Sequence, residues 1–230
     1  PNRVIAKSDS LAMSSTTEHP EAAVALMKYF TDDEALADTL RAHIDTYGPW
    51  DFAVHNLGVT KATSYLDFER VNHYYLRLLV ETLRTLNALP QTLLLMSSLS
   101  VMGAGDEKGY TPFRASDIPK PNTRYGTSKL KAEMYLQAQS DLPFVIFRCT
   151  GVYGPHERDY YLMMKTISRG VDFGVGLRKQ LLTFIYVEDL ATAVFDALER
   201  APRGNTYIIS EPRSYRSEER RVGKECRSRW

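Results

Sequence analysis

Two cysteines among 230 residues, Cys149 and Cys226, are too few for a disulfide framework, and no Cys/His cluster has the spacing of a zinc site. No apolar run approaches the roughly 18 to 20 residues that a membrane helix requires. The amino end has no apolar segment followed by a small-residue cleavage site, so no secretory signal is read there. Neither sign of charge is in excess: 29 Lys and Arg against 28 Asp and Glu leave +1, which argues against a dedicated nucleic-acid surface. Glycine is missing altogether before Gly48. These absences leave a soluble chain in a reducing cytoplasm, with no metal, membrane or nucleic acid among its expected partners.

What is present is an ordinary globular composition, 43% hydrophobic and 25% charged, on a chain long enough to bury a real core. Residues 1–20 are Ser/Thr-rich and weakly patterned, and are expected to form a loose arm. Val24 to Phe30 reads as a buried strand, and Thr31 followed by acidic residues caps a helix to about Tyr47, with Leu36, Leu40 and Ile44 on one face. Gly48-Pro49 stops it. Asp51 to His55 is the next strand, ending in the turn Asn56-Leu57-Gly58.

A single long helix is expected from Leu66 to Leu86, with Val71, Leu78, Leu79, Leu83 and Leu86 at helical spacing. The all-apolar run Thr92 to Met96 marks a strand covered on both faces, ending at Ser97-Ser98. A helix from Arg124 to Ser140 and a strand from Phe144 to Phe147 follow. Beyond Arg148 the spacing predicts a loop over Gly151 to Pro155, a helix from Tyr160 to Arg169, a strand from Leu182 to Ile185, a helix from Val187 to Glu199 and a strand from Asn205 to Ile209. Alternating strands and helices predict an α/β fold, a doubly wound parallel sheet of Rossmann type with ligands at the strands' carboxyl ends. The expected division is 1–20 arm, 21–150 nucleotide-binding domain, 151–216 small substrate lobe interleaved with the last sheet strands, and 217–230 tail. That tail turns abruptly basic and aperiodic, resembles a translated vector sequence, and is set apart from the fold.

Within the helix from Arg124, Tyr125 and Lys129 lie four residues apart and so share a face. A phenol with its usual pKa near ~10 needs a neighbouring positive charge to exchange protons near neutral pH, and Lys129 is placed to supply one.

Six stretches in order resemble the NAD-dependent epimerase/dehydratase family, the extended branch of the short-chain dehydrogenase/reductase superfamily. They are His55-Asn56-Leu57-Gly58, Val71-Asn72, Ser97 to Gly103 (SSLSVMG), Tyr125-Gly126-Thr127-Ser128-Lys129, Arg148 to Pro155 (RCTGVYGP) and Phe184 to Ala191 (FIYVEDLA). The resemblance implies NAD or NADP as cofactor and a small-molecule substrate, a nucleotide sugar, with a homodimer formed through the two long helices. It assigns Tyr125 as acid/base, Lys129 to lower the phenol's pKa and bind the nicotinamide ribose, and Ser98 to hold the substrate oxygen. Asn56, Leu57, Gly58, Asn72, Ser97, Cys149 and Val152 would border the cofactor. Leu99, Ser100, His156, Arg158 and Arg178 would face the substrate. His55 and Cys149 are read as packing residues, and Arg148 and Asp189 as structural.

The departures are informative. The family opens with a strand, a glycine-rich turn and a helix that holds the pyrophosphate; that first β-α-β unit is missing here, and the resemblance implies a copy truncated at both ends. Met102 and Cys149 stand where the family has Tyr and Pro. Dehydratases carry an Asp-Glu pair after the catalytic Ser, where this chain has Leu99-Ser100. Redox chemistry or epimerisation is therefore expected over dehydration. A non-catalytic Rossmann-like binding module and a reductase of a non-sugar carbonyl share the same motifs.

Overall fold

A computed structural model describes residues 33–106, 108–155, 157, 160–162, 165–166 and 181–216. The expected arm, the strand from Val24 to Phe30 and the tail from residue 217 lie outside the described residues. So do His156, Arg158 and Arg178.

Helix α1 (Asp33–Tyr47) leads through Gly48 to strand β1 (Phe52–His55). Next come α2 (Tyr65–Glu69), a π-helical turn over Arg70–Tyr74 and α3 (Tyr75–Thr85), followed by β2 (Thr92–Ser98) and a 3-10 turn at Leu99–Met102. Helix α4 (Arg124–Gln137), β3 (Phe144–Cys149), β4 (Gly151–Tyr153), β5 (Leu181–Tyr186), α5 (Val187–Arg200), β6 (Asn205–Ile209) and β7 (Ser214–Arg216) complete the order. The main sheet has the order β1-β2-β3-β6 with every neighbouring pair parallel. A second sheet, β4-β5-β7, joins β4 and β5 in parallel and β7 antiparallel.

Successive residues of a strand face opposite sides of the sheet, and the packing divides accordingly. Leu93, Leu95, Phe144 and Ile146 meet Leu76 and Val80 of α3 and Ala132 and Leu136 of α4 on one face. Leu94, Met96, Val145, Phe147 and Cys149 meet Leu190, Ala197 and Leu198 of α5 on the other. Leu93, Leu94 and Leu95 are fully buried, and each contributes about 2 kcal/mol of apolar burial to the fold. Helices on both faces of a parallel sheet make the doubly wound Rossmann-like fold that the alternation of elements predicts. Leu40 of α1 packs with Trp50, Leu79 and Leu83 in a third cluster beside α3.

Two expectations need correction. Gly151–Tyr153 is a strand rather than a loop, because Val152 and Tyr153 find partners in Ile185 and Tyr186 of β5. The long helix is broken by the π turn, and its buried stripe runs through Phe68, Asn72, Tyr75, Leu76, Leu79, Val80 and Leu83. Val71 is only half-buried, and the fully buried residue beside it is the polar Asn72. Apolar periodicity could not reveal a stripe with an amide in it.

Candidate active site

Three adjacent parallel strands end at His55, Ser98 and Cys149, so these side chains gather at one edge of the sheet. Ser98 leaves β2 in extended geometry and caps the 3-10 turn. Its hydroxyl oxygen accepts from the Ser100 backbone N–H at 3.2 Å and from the Ser100 hydroxyl at 2.9 Å.

Helix α4 begins beside that turn. Thr123 is its N-cap, its hydroxyl accepting from Gly126 N–H at 3.0 Å, which places Tyr125 in the first turn. A Cβ on Gly126 would collide with the Ser100 carbonyl, at 3.0 Å from its carbon and closer to its oxygen. The missing side chain therefore lets α4 approach Ser98. Burial pushes the Tyr125 phenol above its ordinary value, an interaction with the Ser98 hydroxyl opposes this, and Cys149 and Tyr160 add to the rise. The lowered phenol pKa implied by the resemblance is not found, since desolvation is the largest influence.

Lys129, one turn further, is 4% exposed. Its ammonium donates to the Met96 carbonyl at 3.0 Å and to the Leu57 carbonyl at 3.4 Å. Burial pulls its pKa down to about 8 against the opposing pull of Cys149 and Glu133. The turn after β1 lies against this amine: a Cβ on Gly58 would sit 2.8 Å from Lys129 Nζ and 3.2 Å from Asn72 Oδ1.

Asn72 is the clip that holds this turn. It is fully buried, donates to the Val59 carbonyl at 3.1 Å and to Ser128 Oγ at 2.9 Å, and accepts from Val59 N–H at 2.8 Å. Its position in the π turn fits the frequent use of such turns at functional sites. Asn56 and Leu57 are half-buried in the same turn. His55 is 3% exposed, its Nε2 has no hydrogen-bond partner among the described residues, and burial with Lys129 nearby holds its pKa at about 3. Cys149 packs into the α5-side core, and burial raises its thiol to about 12 with Lys129 opposing. Val152 also packs on that core.

Sequence reasoning missed Glu133. It lies four residues after Lys129, is fully buried, and accepts from Ser97 Oγ at 2.5 Å. Arg148 Nη2 donates to it at 2.8 Å and Arg148 Nε approaches both carboxylate oxygens at 3.2 Å. A third arm of the guanidinium, Nη1, reaches the Ala115 carbonyl and Met102 Sδ, each at 3.2 Å. The one available signal was the recurrence of Tyr125, Lys129 and Glu133 every fourth residue.

Among the described residues, no three His, Cys, Asp or Glu side chains are grouped to hold a metal ion, and no helix is long and apolar enough to cross a membrane. A parallel doubly wound sheet covered by helices on both faces defines a Rossmann-like protein, with Ser98 at a strand end and Tyr125 and Lys129 on the helix packed beside it.

The chain belongs to the NAD dependent epimerase/dehydratase family, whose model matches residues 12–210. It is 30% identical over 152 residues to dTDP-D-glucose 4,6-dehydratase of Bos taurus, covering 62% of this chain and 41% of that protein. UDP-glucose 4-epimerase of Vibrio cholerae is 28% identical over 122 residues, 50% of this chain and 37% of that protein. Among solved structures, RMD from Pseudomonas aeruginosa complexed with NADPH has a TM-score of 0.69 at 19% identity, over 83% of this chain and 68% of that one. This chain spans less than half the length of either curated relative.

Proposed function

We propose that the protein is an NAD- or NADP-dependent oxidoreductase or epimerase of a nucleotide sugar, with Tyr125 as its acid/base. The observation that carries this reading is the seating of Tyr125 beside Ser98, with Lys129 buried one helical turn away. The cofactor's nicotinamide would accept the hydride from the substrate carbon and return it. Lys129 has three N–H donors, of which two serve the Met96 and Leu57 carbonyls, so one is left for a ribose hydroxyl. The close turn at Gly58 brings backbone to that same amine, as a cofactor-side turn requires.

Because Ser98 accepts two bonds from Ser100, its own proton is left to donate, to the Tyr125 phenol at rest or to a substrate oxygen when one is bound. The raised phenol pKa makes Tyr125 a protonated acid at rest. It donates its proton as a carbonyl is reduced and takes one back as the alcohol is oxidised. Leu99 and Ser100 offer no carboxylate on the 3-10 turn, which favours redox chemistry or epimerisation over water elimination, although one relative is a dehydratase. The reading treats 21–150 as the cofactor domain and 151–216 as a substrate lobe, with β6 returning to the main sheet. It includes a homodimer through α2–α3 and α4.

The test is turnover of nucleotide sugars with NAD and NADP, together with cofactor binding, for wild type and Tyr125→Phe. Loss of turnover with cofactor binding retained is expected. Unchanged turnover in the variant removes Tyr125 from the chemistry, and binding without any wild-type turnover favours the non-catalytic module.

A further inference from the structure

The Glu133–Arg148 pair is not used by the proposed chemistry, yet it is among the most deeply buried polar clusters of the described chain. Glu133 is 0% and Arg148 3% exposed. A buried ion pair gains little net stability over an apolar pair of similar volume, because desolvation offsets the attraction. Stability alone therefore does not account for three donor groups converging on one carboxylate.

Their placement suggests what does. Ser97, which donates to Glu133, immediately precedes Ser98. Ser100, whose carbonyl abuts Gly126, lies two residues after it. Helix α4 is thus seated against the end of β2 at two points that bracket Ser98: Gly126 on Ser100, next to Tyr125, and Glu133 on Ser97, two turns later. Arg148 locks the second point by fixing Glu133 from β3, while its remaining arm holds Ala115 in the segment between the 3-10 turn and α4, and Met102 in the turn itself. A helix fixed at both points can neither slide nor rotate on the strand without breaking a contact to backbone or to a buried charge.

We propose that Glu133, held by Arg148 and Ser97, is a positioning residue that sets the separation and angle of Tyr125 relative to Ser98. The proposal rests on the reading of Tyr125 as acid/base. Glu133 also adds negative potential beside Lys129, favouring the charged amine.

The test replaces the pair together, as Glu133→Leu with Arg148→Met, since removing one partner alone strands a buried charge and risks unfolding. A thermal midpoint within a few degrees of wild type establishes that the double variant is folded. In it, kcat is expected to fall by about 10²-fold with KM for the cofactor little changed, the effect of misplacing a reacting group by about 1 Å. Its crystal structure is expected to show the Tyr125 hydroxyl displaced from Ser98 by about that distance with α4 intact. Should the double variant not fold, Ser97→Ala, which removes one contact and no charge, is expected to show the same split more weakly. Wild-type kcat in a folded variant, or an unmoved Tyr125–Ser98 pair, overturns the proposal. If wild type itself does not turn over, the acid/base reading fails separately, and the crystallographic displacement still decides whether Glu133 positions the tyrosine.

Discussion

Gly126→Ala probes the site with a single methyl group. The added Cβ would stand 3.0 Å from the Ser100 carbonyl carbon and nearer still to its oxygen, both backbone atoms that cannot rotate away. Restoring an ordinary non-bonded separation of ~3.5 Å requires the first turn of α4 to withdraw by up to about 1 Å. Two stability terms oppose each other: overpacking costs about 1–3 kcal/mol, while replacing a helical Gly by Ala gains about 1 kcal/mol. The net change is a loss of about 0–2 kcal/mol, which lowers Tm by no more than about 4–8 °C for a chain of this size. The catalytic effect is larger, because Tyr125 is the adjacent residue and a displacement near 1 Å costs about 10²-fold in rate. Steady-state kinetics with the best nucleotide sugar, alongside calorimetry, separates the two. A variant with wild-type kcat shows that the Gly126–Ser100 contact does not set the Tyr125–Ser98 geometry. A variant that simply unfolds shows that the backbone cannot yield as assumed.

Two further predictions concern buried titratable groups. The Lys129 ammonium has a folded pKa of about 8 against an ordinary 10.5, so below pH 8 both states are protonated and the full burial penalty, about 3 kcal/mol, is present. Between these values the unfolded chain binds the extra proton and stability rises with pH. Urea unfolding of wild type and Lys129→Met at pH 7 and pH 10 is therefore expected to show wild type gaining on the variant at the higher pH, and a constant difference contradicts the buried-cation account. His55 behaves in the opposite range: with a folded pKa of about 3 and an ordinary value of 6.5, it holds stability above pH 6.5 that is lost as pH falls toward 3. Its imidazole NMR signal, assigned with His55→Gln, should stay flat from pH 8 to 5. A midpoint near 6.5 would mean the ring is hydrated.

The fold was legible because its signals are local. The run Thr92 to Met96 has no polar face, so it required cover on both sides, and α4 and α5 supply it. Strand β6 follows the expected Asn205–Ile209. Tyr125 and Lys129 were legible because one helical turn relates them. What escaped depends on contacts between residues distant in the chain and on polar groups standing where a periodicity argument looks for apolar ones. Asn72 reaches Ser128 across 56 residues, and Ser97 reaches Glu133 across 36. In a sequence, Glu133 reads as one more solvated charge on a helix, and Arg148 as the polar end of a strand. Only the sheet register, which sets Ser97 opposite Arg148, brings strand end, guanidinium and carboxylate together. The seating of α4 against the end of β2 also bears on the phenol, whose pKa lies above its ordinary value rather than below it. Tyr125 is half-buried where α4 meets Ser98, and that desolvation outweighs the Ser98 hydroxyl that opposes it. A motif names the groups that take part, whereas their protonation at rest follows from how tightly the fold seats them.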